Sequence, residues 1–168
     1  MDSLETELLR QGWALLPQPL DEVAREAIKA GSLPDWADAV RERLQAIAQP
    51  WGMGRMQARQ PRLALQVQDA GQALPLMASE TPDGFALHLV MLLSAPGRDF
   101  DGGHTLAVQQ RPRQQSRPMV LPLTLGSVAV CASARHPLAG RQGAVTLRLG
   151  AGTVLRGQRL AATLHWHV

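Results

Sequence analysis

The chain has 168 residues, 45% hydrophobic and 18% charged, which suits one folded domain and excludes a disordered segment. A single cysteine, Cys131, excludes an internal disulfide and a cysteine-rich zinc site. No apolar run approaches the roughly 20 residues that cross a bilayer, and the start MDSLETELLRQ lacks the basic-then-apolar pattern of a secretion signal, so the formal net charge of +3 belongs to an expected soluble, cytoplasmic domain over 1–168.

Residues 1–59 predict a helical layer. Asp2 or Ser3 is placed to cap a short helix through Gln11. GWALLPQPL reads as extended chain broken by Pro17 and Pro19. Asp21 caps a second helix ending near Lys29, with Gly31 as its stop. Ser32, Pro34 and Asp35 predict the start of a third helix, on which Trp36, Val40, Leu44 and Ile47 share a face. Pro50 and Gly52 end it.

After Arg59 the period changes from helix to strand. Leu63, Leu65 and Val67 alternate with Ala64, Gln66 and Gln68, as in a half-buried strand. FALHLVMLLS (85–94) is dense enough for a central strand covered on both sides. Gly97 and the pair Gly102–Gly103 mark turns around Asp99 and Asp101. Further strands are expected at 104–110, 118–124, 127–132, 144–149 and 160–167, with QQRPRQQSRP (109–118) an exposed strand end and loop. Short strands so spaced predict a sandwich or jelly-roll barrel. The fold class is mainly β with N-terminal helices: a helical layer over 1–59 and a β core over 60–168.

Three segments carry a resemblance. LLSAPGRDFDGGHTLAV resembles the strand–turn–strand that ends in Gly-Gly-Glu in the iron(II)- and 2-oxoglutarate-dependent dioxygenases, in a bacterial branch similar to prolyl 4-hydroxylases. QQRPRQQSR resembles that branch's arginine-rich connector. RLGAGTVLRGQRLAATLHWH resembles the terminal segment that carries a metal histidine and a 2-oxoglutarate arginine. The resemblance covers about 60–168 and implies a double-stranded β-helix, a jelly-roll with supporting helices.

That family's chemistry needs a His-x-Asp pair and a distal histidine, which leave three iron positions open for 2-oxoglutarate and oxygen. The resemblance places the pair on Leu76 and Ala78 and the distal histidine on Leu149. Alkyl groups have no lone pair to give a metal. His104 stands where the glutamate of Gly-Gly-Glu would be. Only the arginine that holds the far carboxylate of 2-oxoglutarate has a counterpart, Arg159. The implied outcome is a pseudoenzyme with no catalytic residues, binding neither iron nor 2-oxoglutarate in the family manner. Its interior would be apolar, closed by Leu76 against Leu149, and its role would be protein binding as a partner, regulatory subunit or homo-oligomer.

Other residues offer alternatives to that site. His165 and His167 share a strand face, and His88 could join them in a relocated metal site that restores oxidoreductase activity. Otherwise His167 is terminal and exposed, and the other two are half-buried structural histidines. His136 lies before Pro137 in an expected loop and reads as structural. Cys131, within VAVCASA, reads as a buried inert thiol. Ser94, Ser116, Ser127 and Ser133 have no nucleophile-elbow context. Arg159 reads either as a surviving carboxylate site or as a surface or acid-paired arginine.

Charge adds a last alternative. All 14 acidic residues lie in 1–101, and from Gly102 onward the only formal charges are arginines. These form an anion or nucleic-acid surface, led by Arg111, Arg113 and Arg117, or pair internally with the acidic half. With two phenylalanines and no tyrosine, stacking on single strands has few platforms, and internal pairing is the expectation.

Overall fold

Asp2 accepts from the Leu4 N–H and starts α1 (Ser3–Gln11), which ends where Gly12 takes φ 83°. Asp21 does the same for α2 (Glu22–Lys29) through the Ala24 N–H. In this computed structural model, which describes residues 2–52, 57–79, 81 and 83–168, α3 (Ala37–Ala48) begins later than Ser32 and Pro34 suggest. Its N-cap is Trp36, with no side-chain cap. The Ser32 N–H instead donates to the Ala27 carbonyl and closes α2, so that serine serves the helix before it. A 3₁₀ turn follows at Gln49–Trp51.

The strands form two antiparallel sheets. The larger runs β1 (Trp13–Leu15), β8 (Val128–Ala132), β4 (Leu87–Leu92), β11 (Val154–His167) and β2 (Gln60–Asp69), with β5 (Phe100–Gly102) beside the start of β11. The smaller runs β3 (Leu74–Met77), β10 (Ala144–Ala151), β6 (Thr105–Gln110) and β7 (Arg117–Val120), with β9 (Arg135–Pro137) on β10. Together they curl into the double-stranded β-helix, mainly β with N-terminal helices. The expected strand at 118–124 shortens to β7, the last strand starts earlier at Val154, and the expected loop around His136 contains β9.

Every residue of β4 is buried, at the centre of the larger sheet. Leu4, Leu8, Ile28, Leu44 and Ile47 of the helices join Leu87, Leu89, Met91, Leu164 and Trp166 in one core. Each fully buried leucine of this kind stabilises the fold by about 1.5–3 kcal/mol. Alternate residues of β4 and β11 turn away from that core into the barrel: His88, Val90, Arg159, Thr163 and His165.

β2 reverses the expected polarity. Leu65 and Val67 are 45% and 51% exposed, whereas Gln68 is 1% exposed and Gln66 lines the barrel interior. The alternation predicts a two-faced strand, but here the polar face is the inner one.

Candidate functional site

The interior of the jelly-roll holds a cavity of about 280 Å³ between the two sheets. Arg159 of β11 reaches it from one end and is 1% exposed. Its Nη1 donates to Gln68 Oε1 at 3.1 Å and its Nη2 to Thr105 Oγ1 at 2.7 Å. Both partners are neutral, and no ion pair among the described residues includes Arg159. This overturns the reading of Arg159 as a surface or acid-paired arginine. Burial lowers its pKa to about 10, so it remains a cation at neutral pH. Gly103 makes room for the stem: at φ +58°, a Cβ there would sit 2.9 Å from Val154 Cγ2 and 3.2 Å from Arg159 Cδ.

At the other end, the rings of His88 and His165 stack 4.3 Å apart and within 9° of parallel. A chain of hydrogen bonds fixes the state of His88. The Ser133 hydroxyl donates to the Phe85 carbonyl at 2.9 Å, which uses its one proton. Its oxygen, 3.2 Å from His88 Nδ1, therefore accepts, so Nδ1 carries the hydrogen and Nε2 keeps the lone pair. Burial, reinforced by His165, holds His88 well below the usual imidazole range. Burial, then the charge of His167, takes His165 down to about 4. Both rings are neutral at physiological pH.

The structure stacks His88 on His165 but does not group all three histidines. His167 lies beside Asp83, its Nδ1 3.3 Å from Asp83 Oδ1, without an aligned hydrogen bond. It is 8% exposed, not the open terminal residue expected. Among the described residues, no three His, Cys, Asp or Glu side chains are grouped to hold a metal.

The positions given to iron ligands lie at the cavity's opposite wall. Leu149 on β10 pairs with Met77 on β3, and both line the cavity with Ala78. Leu76 does not close it: it is 40% exposed, and the pairing of Met77 with Leu149 turns Leu76 to the other face. The interior is therefore not the apolar plug expected. One wall is apolar, and the other carries Gln66, His88, Thr163, His165 and Arg159. Sequence reading missed Gln66, Gln68, Thr105, Thr163 and Ser133. The signal for the glutamines was the alternation along β2, assigned to the wrong face.

The remaining candidates do not line this cavity. His136 is buried, donates from Nδ1 to the Pro137 carbonyl at 2.8 Å and packs against Gly12, where a Cβ would sit 2.6 Å from Nε2. Cys131 is buried and its thiol pKa is pushed up by desolvation. His104 is exposed. Asp99 accepts from the Ala95 N–H, and Asp101 pairs with Arg156 at 2.6 Å.

Among the described residues, the expected pairing of the two charge halves is reduced to one contact, Arg156 with Asp101. Of the arginines beyond Gly102, Arg156 alone forms an ion pair among the described residues. Arg113 and Arg117 are exposed near the β6–β7 connection. Arg111 Nε donates to Gln109 at 2.9 Å and Arg141 Nη1 to Gln114 at 2.7 Å, neutral partners in both cases.

Solved structures share this fold. A Pseudomonas putida prolyl-4-hydroxylase matches with a TM-score of 0.63 at 15% identity, over 98% of this chain and 90% of that one. AviO1 from Streptomyces viridochromogenes matches at 0.61 and 16% identity, over 99% and 94%. A 2OG-Fe(II) oxygenase family protein from Burkholderia pseudomallei matches at 0.56 and 20%, over 98% and 89%. An uncharacterized Mycobacterium tuberculosis protein, found in two strains, is 38% identical over 85 residues, 49% of this chain and 36% of that protein. The chain thus spans about a third of the length of the curated relatives it matches. A family model, "oxygenase, catalysing oxidative methylation of damaged DNA", matches residues 53–168. With the oxygenase fold and a family match over most of its length, the chain belongs to the Oxygenase-NA family.

Proposed function

We propose that this chain is a catalytically inactive member of its family that works by binding, as a partner or regulatory subunit, and that its interior retains a metal-free site for a small carboxylate. One observation carries the reading: the corner given to iron presents Leu149, Met77 and Ala78, and among the described residues no carboxylate lines the cavity. The family's iron needs two imidazoles and a carboxylate converging on one point. The imidazoles present lie stacked on the opposite wall, so the described residues do not fit that metal and no step runs through it. Arg159 supports the second half of the reading. It is buried without an acid, and its two observed hydrogen bonds leave guanidinium hydrogens for an anion.

The test is 2-oxoglutarate turnover with iron(II) and ascorbate, beside thermal shift with 2-oxoglutarate, succinate and citrate. We expect no succinate release. We also expect a rise in melting temperature at millimolar carboxylate that disappears in Arg159→Ala. Succinate released in proportion to protein would refute inactivity, and a shift that persists in Arg159→Ala would move the anion site elsewhere.

A second reading has its own observation. The arginines around the β6–β7 connection lack acidic partners among the described residues, and the family model's description names damaged DNA. Phosphates would supply the missing countercharge. Binding to duplex and single-stranded DNA should then weaken steeply with salt, and Arg113→Ala with Arg117→Ala should reduce the salt slope by about two. Affinity unchanged in that double variant would remove the hairpin from this role.

A further inference from the structure

The four outer edges of the two sheets are not alike. β1 is three residues long, β3 is four with Pro75, and β7 is four with Pro118. Short strands and proline are what keep an edge from pairing with another chain. β2 is ten residues long and ends the larger sheet. It is registered with β11 along its whole length, and among the described residues no strand occupies its other edge. Its proline and its one basic residue, Pro61 and Arg62, lie at one end, and from Leu63 to Gln68 it contains neither a charge nor a proline. Its outward side chains Leu65 and Val67 are about half exposed.

We propose that β2 is a self-pairing edge, joining two copies of this chain antiparallel about a two-fold axis at Leu65. Antiparallel partners put directly opposed residues on one face. Centred on Leu65, that register sets Leu65 against its own mate and Leu63 against Val67 of the second copy, twice over. Six apolar side chains then form one outward patch. The ends match in charge as well. Arg59 precedes the strand and Asp69 ends it, both exposed and neither in an ion pair among the described residues. Antiparallel pairing brings Asp69 opposite Pro61 of the second copy, diagonal to Arg59 on the same face, at each end of the joint. Opposite charges at the two ends of one strand are satisfied when the strand meets its own reversed copy. The proposal supplies the partner that the binding reading leaves open, and its readout involves neither metal nor carboxylate, so either can fail alone.

Sedimentation or size-exclusion with light scattering, from low to high micromolar protein, tests it. The wild type should be a dimer. Leu65→Lys puts two ammonium groups at the axis and should weaken the dimer about a hundredfold, with an unchanged circular dichroism spectrum because Leu65 is half exposed. Asp69→Arg should also weaken it, and adding Arg59→Asp should restore it. If Leu65→Lys does not fold, the charge swap decides alone. A wild type that stays monomeric, leaving the edge to some other chain's strand, overturns the proposal. So does a dimer as tight in Leu65→Lys, or a double swap that fails to restore it.

Discussion

His88 and His165 show how much of a buried cavity's chemistry is set by protons that a neighbour fixes. One serine hydroxyl, committed to the Phe85 carbonyl, dictates which nitrogen of His88 is free. Burial, reinforced by His165 at the first ring and by His167 at the second, then keeps both rings neutral. This has a sign. The unfolded chain takes up protons at histidine from about pH 6.5 downward, whereas folded His165 waits until about 4. Stability should therefore be full above pH 6.5 and fall as pH drops toward 4, by about 3 kcal/mol from His165 alone. Denaturant melts at the two ends of that window should show the loss, and His165→Phe should flatten it in part, since His88 titrates in the same direction. A wild type equally stable at both ends would mean the pair is solvated. Arg159 was legible in the sequence because a motif surrounds it. Gln68 and Thr105, which hold it, were not, because nothing local in a glutamine or threonine says which arginine it will meet across a barrel.

Elements were legible where their signals were local. Asp2 and Asp21 cap as their spacing predicts, and β4 is buried on both sides as its unbroken apolar run requires. The errors came where a face had to be chosen. An alternating strand states that its sides differ, and burial belongs to whichever side the sheet curls around. In β2 that side carries glutamine. β3 poses the same question one residue at a time, since a shift of one exchanges the faces. The Leu149–Met77 pairing puts Leu76 outside. Leu149→His should then cost about 1–3 kcal/mol through an unpartnered imidazole in a partly buried position. Leu76→His should stay within about 0.5 kcal/mol of wild type. Equal losses in the two variants would place Leu76 inside and restore the register that the resemblance implies.

On the scale of the whole molecule, the jelly-roll followed from regularly spaced strands and from three family-like segments, and the fold agrees with both. Charge distribution did not translate as directly. Acids confined to one half of a sequence need not meet the arginines of the other, because partners are chosen by the sheet order and not by the chain order. The barrel that results keeps an arginine at one end, a neutral histidine pair at the other and an apolar corner at the positions that the resemblance gives to the metal ligands. The reading of this molecule as a binding protein rests on that corner. Elemental analysis by mass spectrometry after anaerobic reconstitution with iron(II) and desalting tests it most directly. The account predicts no stoichiometric iron or zinc in the wild type. One tightly held metal ion per chain, lost in His88→Ala or His165→Ala, would contradict it.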